Sequence, residues 1–132
     1  MVECELARII IDEHRDEQAI FLREIGGGRT FPILIGIFEA TVIDRVVKEC
    51  RVERSFIHEF LLDVIQKFGG RLTAVRIEEL ARGVFFAKIV IESQGRETLI
   101  DARPSDAVAL ALQARAPILV AEEVLDKVGK PG

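Results

Sequence analysis

The run Asp101-Ala102-Arg103-Pro104-Ser105-Asp106 gathers two carboxylates, a guanidinium and a hydroxyl within one short stretch. It joins a strand-like segment to a helix-like one. At such a junction free backbone N–H groups and the helix dipole both favour anions. Arg103 is suited to a two-pronged grip on a phosphate, with Ser105 beside it. Asp101 and Asp106 are suited to a hard cation such as Mg²⁺ or Mn²⁺, bound through oxygen. The same residues have a purely structural reading. Ser105 caps the helix, Asp106 sits in its first turn, and Arg103 pairs with Asp101. Residue type alone does not choose between the two.

His58 and Glu59 form a second candidate. His58 lies at the edge of an apolar helical stripe, near Leu62 and Ile65 on the wheel, where an imidazole can serve as acid or base at neutral pH. Glu59 falls on the polar side, so the two do not act on one atom. The bland alternative is a boundary histidine with one satisfied hydrogen bond. Gly26-Gly27-Gly28-Arg29 is a third candidate, but glycines that cradle phosphate lead into a helix, and here a strand follows. A hairpin loop is the expectation. His14 falls in a turn and is expected to be solvated. Glu122 and Glu123 open the last helix, where acids are favoured. Cys4 and Cys50 belong to no CxxC pair and read as buried, reduced thiols.

No established catalytic signature is present: there is no GxSxG, HExxH or Walker loop. The eight Phe residues fall mostly at expected core positions, and Trp and Tyr are absent, which leaves no stacking platform for single-stranded nucleic acid.

These groups need elements to position them. Residues 2–12 and 18–25 read as strands about a polar turn at 14–16. A third strand, 30–35, holds Pro32, which cannot donate to a ladder, and so belongs at an edge or pairs there on one side. Residues 37–50 and 55–68 read as helices. In the second, Ile57, Phe60, Leu61, Val64, Ile65 and Phe68 make an apolar stripe, Ser55 is the expected N-cap, and Gly69-Gly70 ends it. Strands at 71–78, 84–92 and 97–100 suggest an antiparallel meander. In the first of these Thr73, Val75 and Ile77 share a face. A buried, alanine-rich helix follows at 105–114, then a short strand at 117–121 and a short helix at 122–128. The expected fold is α+β: a mixed, largely antiparallel sheet packed with three main helices and a short C-terminal helix.

The chain has 132 residues, 49% apolar and 30% charged, which suits a single domain over 1–132 with one core. No apolar run reaches the ~20 residues of a membrane span. The opening residues carry acids where a signal peptide needs basic ones, so the expected location is cytoplasmic. The net charge of −4 argues against tight, charge-driven binding to duplex DNA.

The stretch Ile100 to Leu112, IDARPSDAVALAL, resembles the signature of the bifunctional nuclease domain family. Phe31-Pro32-Ile33-Leu34-Ile35-Gly36 with Glu39-Ala40 is similar to that family's early motif. Val84-Phe85-Phe86-Ala87 resembles its central strand, and Pro117 to Leu125 its closing motif. One segment departs. Before the second helix, members tend to carry proline after the arginine, then threonine, histidine and aspartate. Here the run is Arg54-Ser55-Phe56-Ile57-His58-Glu59.

The resemblance implies cleavage of nucleic acid, DNA or RNA, and adds Glu39 to the candidates. On that reading Asp101, Asp106 and Glu39 hold the divalent cation, Arg103 and Ser105 bind the phosphate, and His58 moves a proton. The alternative is a non-catalytic oligomeric or anion-binding module in which the motif is structural. A homodimer or higher homo-oligomer is expected from an exposed apolar face or the edge at Pro32.

Overall fold

The computed structural model describes residues 1–12, 14, 17–48 and 57–131. Two antiparallel meanders form its frame. The first is β1 (Val2–Ile10), β2 (Glu17–Glu24) and β3 (Arg29–Gly36); the second is β4 (Arg71–Ala81), β5 (Val84–Ser93) and β6 (Arg96–Ala102). Helices α1 (Ile37–Val47) and α2 (Ile57–Lys67) separate them. After the second meander come α3 (Pro104–Ala114), β7 (Ile118–Val120), α4 (Glu122–Val128) and β8 (Lys130–Pro131).

The short strand β7 joins the halves. Ile118 pairs antiparallel with Cys4 on one side and parallel with Val75 on the other. The result is one eight-stranded sheet in the order β6-β5-β4-β7-β1-β2-β3-β8. This is the α+β fold with a mixed, largely antiparallel sheet that the pattern predicts. Pro32 pairs with Phe21 of β2, and β8 reaches β3 only at Arg29 and Thr30, so the proline faces an unpaired edge as expected.

The sheet is strongly curled. Phe31 on β3 and Phe85 on β5 stand five places apart in the strand order, about 24 Å in a flat sheet. Their ring centroids lie 5.6 Å apart. The concave side holds the core: Ile20, Leu22, Phe31 and Ile33 from one half, Val75, Ile77 and Ile89 from the other, with α3 packed between. Helix α3 buries Ala107, Val108, Ala109, Leu110 and Ala111, and its small residues let its backbone approach the sheet closely. Helix α4 closes the seam. Arg29 at the head of β3 ion-pairs with Glu24, Glu122 and Asp126, and Lys127 donates to the carbonyl of Leu80 on β4.

Several local expectations change. Strand β1 ends at Ile10, two residues early. A β-bulge between Leu72 and Ala74 makes Thr73 the extra residue, so Leu72 rather than Thr73 shares the buried face with Val75 and Ile77. Ser105 is not the cap of α3. Pro104 occupies the first helical position, its fixed φ holds the preceding residue extended, and Arg103 is therefore the N-cap residue. Ser105 is buried inside the first turn. The Gly-rich segment is a turn between β2 and β3, with Gly26 and Gly28 at positive φ, as expected of a hairpin. Phe38, Phe60, Phe68 and Phe86 are exposed, against the expectation that the phenylalanines fill the core. Helix α1 is described to its cap at Lys48; the rest of the expected helix, the Ser55 cap and Cys50 lie outside the described residues. Among the described residues no helix is long and apolar enough to cross a membrane.

The close approach of α3 has a measurable consequence. Ala107→Leu adds three carbons at a site with no exposed surface. We expect it to lower the urea unfolding free energy by about 1–3 kcal/mol, the usual cost of overpacking.

Candidate functional site

Two helix N-termini meet at one side chain. Helix α1 starts after Gly36 and helix α3 after Arg103, and each carries a carboxylate in its third position, Glu39 and Asp106. Acids are favoured there by the helix dipole. Arg103 links them. Its Nε and Nη2 donate to Asp106 Oδ2 and Oδ1 at 2.7 and 3.1 Å, and its Nη1 donates to Glu39 Oε1 at 3.0 Å. Gly36 leaves the room this needs: a Cβ there would meet Glu39 Oε2 at 2.5 Å.

Helix α2 enters from the other side. His58 Nε2 lies 2.9 Å from Asp106 Oδ1. Against an ionised carboxylate this nitrogen must be the donor. His58 is buried, at 6% exposure, and its Nδ1 is enclosed with no hydrogen-bond partner among the described residues. The ring thus offers no free nitrogen to solvent. It orients Asp106 rather than standing ready to pass a proton to a bound molecule. Glu59 points elsewhere and accepts from Gln113 Nε2 at 3.2 Å.

The electrostatics follow from these contacts. Burial pushes the Asp106 carboxyl up, but the hydrogen bonds from Arg103 and then His58 outweigh it, and the group rests below the ordinary carboxylate value. The Arg103 guanidinium is raised above its ordinary value by Asp106 first and Glu39 less, so it stays charged. Elsewhere, burial pushes the Cys4 thiol up to about 11, as suits an unreactive core cysteine.

Arg103 keeps 64% of its side chain exposed. It stands at the seam of the curled sheet, between two open cavities. The larger, about 600 Å³, is lined by Glu78, Phe85, Phe86, Lys88, Asp101 and Arg103. The smaller, about 250 Å³, is lined by Leu34, Gly36, Glu39, Arg103 and Ser105 among others. A third, about 590 Å³, runs over Pro32, Leu34, Val84, Phe85 and Pro104.

The structure therefore gathers Glu39, His58, Arg103 and Asp106 and leaves Asp101 apart. Asp101 faces Lys88 in the strand register and lines the large cavity, with no hydrogen bond or ion pair among the described residues. The expected cation set of Asp101, Asp106 and Glu39 is not assembled. The guanidinium already fills the space between Asp106 and Glu39, and a cation there would face a fixed positive charge. Among the described residues no three His, Cys, Asp or Glu side chains converge as metal donors. The sequence reading missed Lys88, which a register of β5 against β6 would have placed opposite Asp101.

Fold and site together define a small α+β domain built around an exposed arginine held at two helix N-termini. Comparison with known proteins makes this specific. Residues 20–131 match the model of the bifunctional nuclease domain, and the chain belongs to that family. An uncharacterized protein of Mycobacterium tuberculosis (strain ATCC 25618 / H37Rv) is 35% identical over 129 residues, covering 98% of this chain and 77% of that protein. Bifunctional nuclease 2 of Oryza sativa subsp. japonica is 27% identical over 114 residues, and bifunctional nuclease 2 of Arabidopsis thaliana 24%. Each match covers 83% of this chain but only 35% of the plant protein.

The network predicts a contrast in stability. His58→Ala leaves a half-buried carboxylate short of one donor and opens a cavity where the imidazole is buried, so we expect a loss of about 2–4 kcal/mol in urea unfolding. Arg103→Ala removes largely solvated ion pairs and should cost less than about 1 kcal/mol.

A second prediction concerns pH. The lowered folded value of Asp106 means that its stabilising contribution is complete above about pH 5, beyond the ordinary unfolded value, and is lost as pH falls through the folded value. Asp106→Asn should therefore be less stable than wild type at pH 7, and the gap should narrow steadily towards pH 3.

Proposed function

We propose that this domain binds a phosphodiester of nucleic acid at Arg103 and hydrolyses it in the adjoining cavity. One observation carries the reading. A guanidinium has five N–H donors, and Arg103 spends three on Asp106 and Glu39. Two have no partner among the described residues, on a fork fixed in place yet mostly exposed, beside a cavity large enough for a nucleotide. Family membership and the names of the plant relatives support the same class of chemistry.

In this reading Arg103 positions the phosphate and offsets charge that builds on its oxygens. Pro104 has no N–H and that of Ala107 is bonded to the Arg103 carbonyl, so the N–H groups of Ser105 and Asp106 are the ones that add to the grip. Asp101, with no protein partner among the described residues and at the cavity wall, takes a proton from the attacking water. Water oxygen bonds to phosphorus, the bond from phosphorus to the leaving sugar oxygen breaks, and that oxygen takes a proton from solvent. Glu39, Asp106 and His58 hold Arg103 in place. Among the described residues the carboxylates form no cage for a cation, and the steps above use the side chains alone.

A second reading has its own support. Among the described residues Asp106 accepts from the Arg103 and His58 side chains, and these contacts, with that of Arg103 to Glu39, bind α1, α2 and α3 together. A structural clamp would look the same.

The two part in a cleavage assay. Labelled single-stranded and duplex DNA and RNA are incubated with Mg²⁺ or Mn²⁺, and in parallel with EDTA. Wild type runs beside Asp101→Asn and Arg103→Ala, purified identically and checked for folding by circular dichroism. The nuclease reading expects both folded variants to lose about 10²–10³-fold in rate. Absent cleavage, or cleavage equal in all three proteins, supports the clamp.

A further inference from the structure

Helix α2 is apolar on two faces, and the fold uses one. His58 is its only buried residue among those described, with Leu62 packed partly against the core. Ile57, Phe60, Leu61, Val64 and Phe68 recur at helical spacing along the other face and are exposed, Ile57 at 69%, Phe60 at 56% and Phe68 at 86%. An isolated helix of this length gains little from propensity and depends on packing for its stability. Among the described residues of the lone chain most of that packing is unmade.

We propose that this stripe is the interface of a twofold homodimer in which the α2 helices of two copies lie antiparallel. Three features select a second copy as the occupant. The first is area. The stripe offers on the order of 600 Å² per copy, at the top of the range for monomer patches and near the roughly 800 Å² per partner of a standard interface.

The second is self-complementarity. The stripe is apolar along the whole helix, so a twofold axis near its middle sets apolar residues on apolar residues. The third is the helix dipole. An antiparallel pair opposes the dipoles of the two α2 helices, whereas a parallel pair would align them. Asp63 and Lys67, 3.2 Å apart on the exposed surface, lie at the rim. Phenylalanine, leucine and valine at the centre with charges at the rim is the usual anatomy of a specific interface.

The dimer also bears on the site, because Ile57 adjoins His58. A copy packed on the outer face of α2 presses the helix onto α3 from behind. The proposal does not depend on catalysis, and its test reads mass alone.

Sedimentation equilibrium of the full chain from 1 to 100 µM, on the scale of ordinary protein association, is the experiment. The expected species has twice the 14.7 kDa chain mass. Val64→Glu puts a charge at the centre of the stripe, and Phe68→Ser removes the most exposed ring. Both should keep wild-type circular dichroism and weaken self-association at least about 100-fold. Phe60→Ser, at the edge of the stripe, should weaken it as well. A wild-type chain that stays monomeric at 100 µM overturns the proposal and leaves the stripe to a different partner. A dimer indifferent to Val64→Glu and Phe68→Ser overturns it too, by placing the interface elsewhere. Should either variant unfold, Phe60→Ser still decides the matter.

Discussion

A half-buried negative charge organises this end of the molecule. Asp106 sits where α3 begins, close enough to the core that its ionised form loses hydration. Such a charge persists only if donors replace the lost water. Two side chains supply them, and each belongs to a different part of the fold. His58 comes from α2, and Arg103 comes from the N-cap of α3 itself. Arg103 then has donors left over and spends one on Glu39 of α1. Three helices separated in sequence are thereby registered on one carboxylate. The curl of the sheet has the same consequence at larger scale. It brings β3 and β5 together at Phe31 and Phe85, and so opens cavities on either side of Pro104.

Much of this frame was legible in the sequence, for reasons that are local. Alternating apolar residues separated by glycine turns specify the two meanders, and Pro32 marks its own unpaired edge. Pairing across long separations is another matter. Nothing local announces that Ile118 will insert between Cys4 and Val75, or that a bulge at Thr73 will turn Leu72 inward. The Ser105 cap failed because Pro104 constrains the backbone more strongly than a hydroxyl attracts an amide. The candidate residues themselves were readable by type, and four of them do meet. Their partnerships were not. Two aspartates and a glutamate suggest a cation until a guanidinium is found between two of them.

Helix α2 shows a subtler limit. Periodicity reports which residues avoid water but not what will cover them. The stripe from Ile57 to Phe68 reads like a core face, yet the fold turns it outward and buries the neighbouring face through His58. A helix that is apolar over more than half its circumference has more surface to bury than one small core provides. The polar His58 on the inward side and the phenylalanines on the outward side reverse the usual arrangement. The inversion makes sense if the inward face serves the site and the outward face serves assembly.

The clamp and the binding site need not be rivals. An arginine free in solvent surrenders rotamer entropy when it grips a phosphate, whereas one already tethered by Asp106 and Glu39 has surrendered it on folding. The tether has an opposing effect. Two carboxylates surround one guanidinium, so an arriving phosphate meets net negative charge, relieved in part by the two helix N-termini. Ground-state binding at such a place is weak. In the hydrolysis proposed for this site, charge gathers on the phosphoryl oxygens during attack, and the two Arg103 N–H groups without a partner among the described residues gain strength while its carboxylate bonds stay fixed. That difference between ground state and transition state is what catalysis requires. A fixed, partly neutralised arginine therefore suits turnover better than retention, and the same bonds that fasten the helices set that balance.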